Sequence, residues 1–174
     1  MATWTIDTAH SEIGFKVKHL VISTVSGKFN AFEGKLEGDI EDLTKVKISF
    51  SADIDSIHTG NEQRDGHLKS GDFFDAAAHP KLTFESTSIE KKGDDYKVNG
   101  NLTLKGITKP VTLNVEFGGV EKSLYGQTVA GFEVTGKINR QDYGLTWSAV
   151  TEAGGVVVGD EVKLAANLEL IKQD

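Results

Sequence analysis

The chain has 174 residues and no cysteine, which removes disulfides, thiolate metal centres and a cysteine nucleophile from consideration. Proline occurs twice and methionine once, beside 19 glycines. That balance points to bends and bulges inside sheets and not to flexible linkers. No apolar run approaches the ~18 residues that a membrane span needs. Basic residues are in deficit, 19 Lys and Arg against 26 Asp and Glu for a net charge of −7. With no dense Lys/Arg run to offset this, no nucleic-acid partner is expected. A G-x-S-x-G elbow, a phosphate-binding glycine loop and a dinucleotide fingerprint are missing as well. Trp4 and Ile6 open a strand almost at once, with no charged n-region and apolar h-region before them. The expected location is therefore cytoplasmic; a chain trimmed to its mature start would read the same way and be periplasmic or secreted.

What is present is alternation. Val46, Ile48, Phe50, Ala52 and Ile54 interleave with Lys47, Ser49, Ser51 and Asp53. Tyr96, Val98, Gly100, Leu102 and Leu104 do the same, as do Phe132, Val134, Gly136 and Ile138. A period of two marks strands with one face in water and one in a core. Further strands are expected over 3–8, 11–21, 28–39, 81–90, 110–117 and 160–171. In 28–39 the apolar phase slips between Ala31 and Phe32, which predicts a bulge. Gly93-Asp94-Asp95 and Lys105-Gly106 sit where tight hairpin turns belong. Residues 59–71 break the pattern and read as a helix. Thr59 and Glu62 match a capping box, Asp65 and Lys69 an exposed pair, and Gly71 a C-terminal stop. The expected fold is all-β: one domain over 1–174, a closed antiparallel barrel of about eight strands with one short helical insert. Small residues at inward positions leave such a barrel underfilled, so it reads as a container.

Strand phase puts Phe15, Val17, Phe32, Phe50, Phe84 and Phe132 on the inner face; a one-residue slip would invert them. His19 falls on the same face between Val17 and Val21. It is either a core histidine bonded to a backbone carbonyl or a contact for a ligand's polar end. Arg64, His67 and Leu68 share one helix face, which is either a cationic lid over the barrel mouth or a solvated helix with one apolar contact. Asp72 and Asp75 flank Phe73-Phe74 and read as turn caps. Arg140, Tyr143, Gly144 and Trp147 form a polar and aromatic stretch, either a barrel plug or a cavity rim. The five histidines show no metal-ligand spacing, so no metal is expected. Asn101-Leu102-Thr103 is a glycosylation sequon, of consequence only in a secreted eukaryotic protein.

Several of these stretches, in order, resemble the YceI-like family of bacterial proteins. They are W-T-I-D-T-A-H-S-E-I-G-F-K-V-K-H from Trp4 to His19, and Gly27, Phe29, Phe32 and Gly34. R-D-G-H-L-K-S-G-D-F-F-D follows from Arg64 to Asp75, with Gly66 and Gly71 as local departures. Then come Pro80 to Phe84, Gly100 to Val111, and Arg140 with Tyr143-Gly144. The resemblance covers essentially the whole chain. It implies a lipocalin-like barrel threaded by a long apolar molecule, a polyisoprenoid in some members and a fatty-acid-like amide in others. It brings no catalytic residues, and some members are homodimers. The partners expected are a hydrophobic small molecule, transient contact with membranes and a second copy of the chain.

The function expected is to bind, and carry or sequester, a long apolar lipid: a polyisoprenoid, an isoprenoid quinone or a fatty-acid-like chain. No cofactor is expected beyond that bound isoprenoid-type lipid. His19, Arg64 and His67 are the candidates for its polar end, with Arg64 offering a forked donor to phosphate or carboxylate. Two other readings stand beside it. One is an enzyme on a lipid-like or quinone-like substrate, with His19 or His67 as acid–base group. The other is a solidly packed barrel acting in stress response through its outer surface.

Overall fold

The computed structural model describes residues 2–19, 22–145 and 158–173. Its eleven strand segments form one antiparallel sheet that closes on itself. β1 (Thr3–Ile6) and β2 (Glu12–His19) are halves of one strand, split by a 3-10 turn at Thr8–His10. β3 (Ser23–Phe29) and β4 (Phe32–Glu37) are split at Asn30-Ala31, and β5 (Lys47–Asp53) and β6 (Ile57–His58) by a turn at Ile54–Ser56. Helix α1 (Glu62–Lys69) follows. Five unbroken strands complete the wall: β7 (Lys81–Lys92), β8 (Asp95–Leu104), β9 (Ile107–Lys122), β10 (Thr128–Asn139) and β11 (Val158–Gln173). β11 pairs with β10 on one side, and with both β2 and β1 on the other. That last pairing closes an eight-stranded barrel in which neighbours in space are neighbours in sequence, with α1 inserted after the third strand.

The phase slip at Ala31/Phe32 is where the second strand breaks. Asn30 donates to the Ser56 carbonyl and Asp53 to the Ala31 carbonyl, so both breaks lie side by side and bend the sheet at one level. Pairing of that strand begins at Ser23, earlier than residue 28, because Thr24, Ser26 and Gly27 carry no apolar signal yet pair with β2. β9 likewise extends the expected 110–117 to both sides. At the Lys105-Gly106 turn both residues take positive φ, 50° and 76°, the mirror-image geometry that matches strand twist.

The helix is shorter than the sequence suggests, and its caps differ. Asn61 is the N-cap, its side chain accepting from the Arg64 N–H at 3.0 Å. Thr59 instead donates its backbone N–H to the Asp65 carboxylate at 3.0 Å, and its hydroxyl binds the same oxygen. Asp65 is consequently buried and faces Thr59, not Lys69. At the other end Ser70 caps in an extended conformation (φ −76°), and its N–H reaches the His67 carbonyl. Gly71 is not the stop.

The two barrel ends are closed differently. At the end where β1 starts, Leu43 and Val46 from the β4–β5 connection join Trp4 and Leu36 in the buried core. At the other end Leu68 of α1 and the following Phe73 and Phe74 pack against the core. Phe74 meets Phe29 of β3 edge-on, with ring centres 6.5 Å apart.

Candidate functional site

The barrel is hollow. A cavity of about 270 Å³ runs inside it from Leu43 and Val46 to Leu68, Phe73 and Phe74. One water needs roughly 10–15 Å³ on the same measure, so the space is that of a chain molecule. Residues that point inward, such as Phe15, Val17, Phe50, Val134, Ile138 and Leu164, are half-buried and line this cavity.

Phe15 and Val17 reach the wall from β2, Phe50 from β5, Phe84 from β7 and Phe132 from β10. Alternation delivers them, since each strand sends every second side chain inward. The ring of Phe132 stacks on Phe117 of the adjoining strand at 5.1 Å. Phe32 is not on the wall, but its ring lies 6.3 Å from that of Phe50. The inward glycines do not themselves make the void. A β-carbon on Gly27 would collide with the ring of Phe15, and one on Gly100 with the ring of Phe84 and the carbonyl of Glu85. The missing side chains are replaced by aromatic rings pressed against the backbone, and the void lies beyond those rings.

The polar groups fall elsewhere. Arg64 turns back on its own loop, with Nε on the Thr59 hydroxyl at 2.8 Å and a terminal nitrogen on the Thr59 carbonyl at 2.7 Å. His67 faces Asp72 at 2.9 Å and lies edge-on to Phe73 at 5.0 Å. Neither is part of the wall; both fasten the cap made by α1 and Phe73-Phe74. Asp72 thus holds a histidine, whereas Asp75 (φ 50°) turns the chain and its carbonyl accepts from His79. The backbone of His19 pairs with Ser23 and Val158; its side chain, like Val21 and Trp147, lies outside the described residues.

Two cationic residues border the bore: Lys35, which pairs with Glu37 at 2.9 Å, and Arg140, buried to 3% exposure at the α1 end. The Arg140 Nε donates to the Gly159 carbonyl at 2.9 Å, and its terminal nitrogens to the carbonyls of Leu145 at 2.5 Å and Val158 at 3.3 Å. Asp160 stands 3.4 Å away. Burial pulls its pKa down and Asp160 pulls it up; a guanidinium remains charged under both. Arg140 ties the end of β10 to the start of β11, so of its two readings, plug and rim, it has features of each. Among the described residues the wall carries no histidine and no carboxylate. The one group of three possible metal ligands among the described residues, Asp7, His10 and Glu169, is not part of it.

A closed, sequentially wound barrel with an apolar bore has relatives of established family. The YceI-like domain matches residues 4–170. The chain belongs to the YceI-like family. Among YceI-like relatives, a UPF0312 protein of Staphylococcus aureus (strain N315) is 45% identical over 170 residues, 97% of each chain. The crystal structure of the Campylobacter jejuni YCEI protein is 34% identical, covers 97% of this chain and 96% of its own, and superposes with a TM-score of 0.76. A polyisoprenoid binding domain from Saccharophagus degradans, 18% identical with 98% of each chain covered, shares the fold at a TM-score of 0.69.

Proposed function

We propose that this YceI-like protein binds one long apolar lipid along its barrel axis, an isoprenoid-type chain before a fatty-acid-like one, and carries or sequesters it. The observation that carries this reading is the bore itself: a cavity of about 270 Å³ whose wall is carbon almost throughout. The shared fold of the polyisoprenoid binding domain from Saccharophagus degradans supports the choice of a polyisoprenoid. Each methylene moved from water into such a wall is worth about 0.8 kcal/mol. Tens of carbons thus supply more than the roughly 18–21 kcal/mol at which non-covalent affinities saturate. Ordering the tail consumes much of that, and what remains gives a ligand that leaves slowly. The lack of a histidine or carboxylate on the described wall favours holding over turnover, because acid–base chemistry needs such a group within reach of its substrate.

Native mass spectrometry of freshly purified protein, followed by solvent extraction, tests the proposal. A bound species whose mass falls on an isoprene-unit series is the expected result. A protein that releases no hydrophobe and takes up neither added isoprenoid nor fatty acid would overturn it.

A further inference from the structure

The seam where the barrel closes carries a cluster that the bore does not use. β1 and β2 are interrupted at Thr8–His10, directly opposite the last part of β11. Asp7 caps this turn, one carboxylate oxygen accepting from the Ala9 N–H at 3.0 Å. Its other oxygen meets Nδ1 of His10 at 2.7 Å. Across the ladder Glu169 is stitched to both flanks of the turn. Asp7 N–H donates to the Glu169 carbonyl at 2.8 Å, and the Glu169 N–H donates to the Ser11 hydroxyl at 2.9 Å. One ligand atom from each of Asp7, His10 and Glu169 lies within 4.8 Å of the other two. The cluster lies outside the bore, whose wall takes Ile6, Leu168 and Leu170 from the alternate positions.

We infer that Asp7, His10 and Glu169 form a divalent-cation site, best suited to zinc, that clips the first strand to the last. One imidazole nitrogen and two carboxylate oxygens are ligands zinc accepts, and water completes a four-coordinate shell. Ligand bonds of about 2.0–2.2 Å place neighbouring ligand atoms roughly 3.3 Å apart. The hydrogen bonds above already tie the three backbones together. Magnesium and calcium, which take oxygen ligands in larger numbers, fit less well. Spacing in the sequence conceals the site: Asp7 and His10 are three apart, but Glu169 arrives from the other end of the chain. The inference is independent of what fills the bore.

Chelator-treated protein titrated with zinc chloride in a calorimeter at pH 7.5 tests it, with thermal melts run alongside. One zinc per chain and a rise in Tm are expected. Glu169→Gln and His10→Gln should each weaken binding about tenfold or more and abolish the rise in Tm. Neither residue caps the turn, so both variants keep the fold, and their metal-free melts check this. Zinc uptake that is equal in wild type and both variants means adventitious binding only and overturns the site. So does an absence of uptake.

Discussion

The outer edge of the Phe15 ring rests on the backbone of Gly27, its partner across the β2–β3 ladder. A β-carbon on Gly27 would lie 2.8 and 2.9 Å from two ring carbons and closer still to a third. The ring is thus laid along the wall and not across the bore. Gly100 and Phe84 repeat the arrangement on the other side of the barrel. Glycine beneath an aromatic ring is a way to keep strand pairing and yet leave the axis empty.

Gly27→Ala should therefore swing Phe15 into the bore. Overpacking of this kind costs about 1–3 kcal/mol, read as a lower midpoint in guanidinium unfolding. Uptake of a fluorescent fatty-acid or isoprenoid analogue should fall with it. Adding Phe15→Leu to the same chain should restore both. Unchanged uptake in the single variant would mean that the ring does not bound the space a ligand uses.

Phe50→Trp and Gly136→Leu approach the same space from other strands. A β-carbon on Gly136 would meet Leu113 Cδ2 at 2.6 Å, the movable tip of a side chain on the wall. Folding should tolerate both changes better than uptake does. Equal lipid uptake in wild type and both variants would show that the lining described above is not the binding surface.

Arg140→Lys should lower Tm although charge is kept. The guanidinium spans carbonyls on Leu145, Val158 and Gly159, and a single ammonium cannot reach all three. Only the bond to Leu145 is buried, and a buried carbonyl left unpaired costs about 1–3 kcal/mol. Arg140→Met, which removes every one of these bonds, should cost more. A melt of Arg140→Lys that overlays wild type would remove this arginine from the fastening of the α1 end.

The Asp7–His10 pair makes stability depend on pH. The hydrogen bond to His10 lowers the Asp7 pKa, and the same bond raises that of His10. The contribution of Asp7 is present above its unfolded value of about 4 and is lost as pH drops through its lower folded value. The contribution of His10 is complete below its unfolded value of about 6.5 and is lost as pH rises through its higher folded value. Between the two the pair is at full strength in the absence of metal. In a proton NMR titration, Asp7→Asn should lower the His10 midpoint, since Asp7 is the largest cause of its rise. An unmoved midpoint would mean that the pair does not form in solution.

Strand number, closure and the inward positions of Phe15, Val17, Phe50, Phe84 and Phe132 follow from alternation, because a half-buried strand must write its period into the chain. The break at Ala31 was legible for the same reason. Ser23–Gly27 was not, since a polar and glycine segment can join a ladder through its backbone alone. Helix caps were misread because Thr59 and Asn61 both suit an N-cap, and only the burial of Asp65 under Thr59 decides between them. Arg64 and His67 share a helix face with Leu68, but sharing a face does not say which of the three meets the bore. Only Leu68 does. Arg140 stood out in the sequence as part of a polar and aromatic stretch, yet its role depends on carbonyls of β11 and Leu145 that no motif encodes.

The described wall of the bore is apolar almost throughout, so a hydrocarbon held as proposed would meet no single anchoring group along it. A guest held by girth has no preferred register, so it can slip lengthwise in small steps without breaking any particular bond. Friction along such a sleeve grows with every added segment of the guest. Long tenants would then be exchanged far more slowly than short ones, even where both are fully sheltered from water.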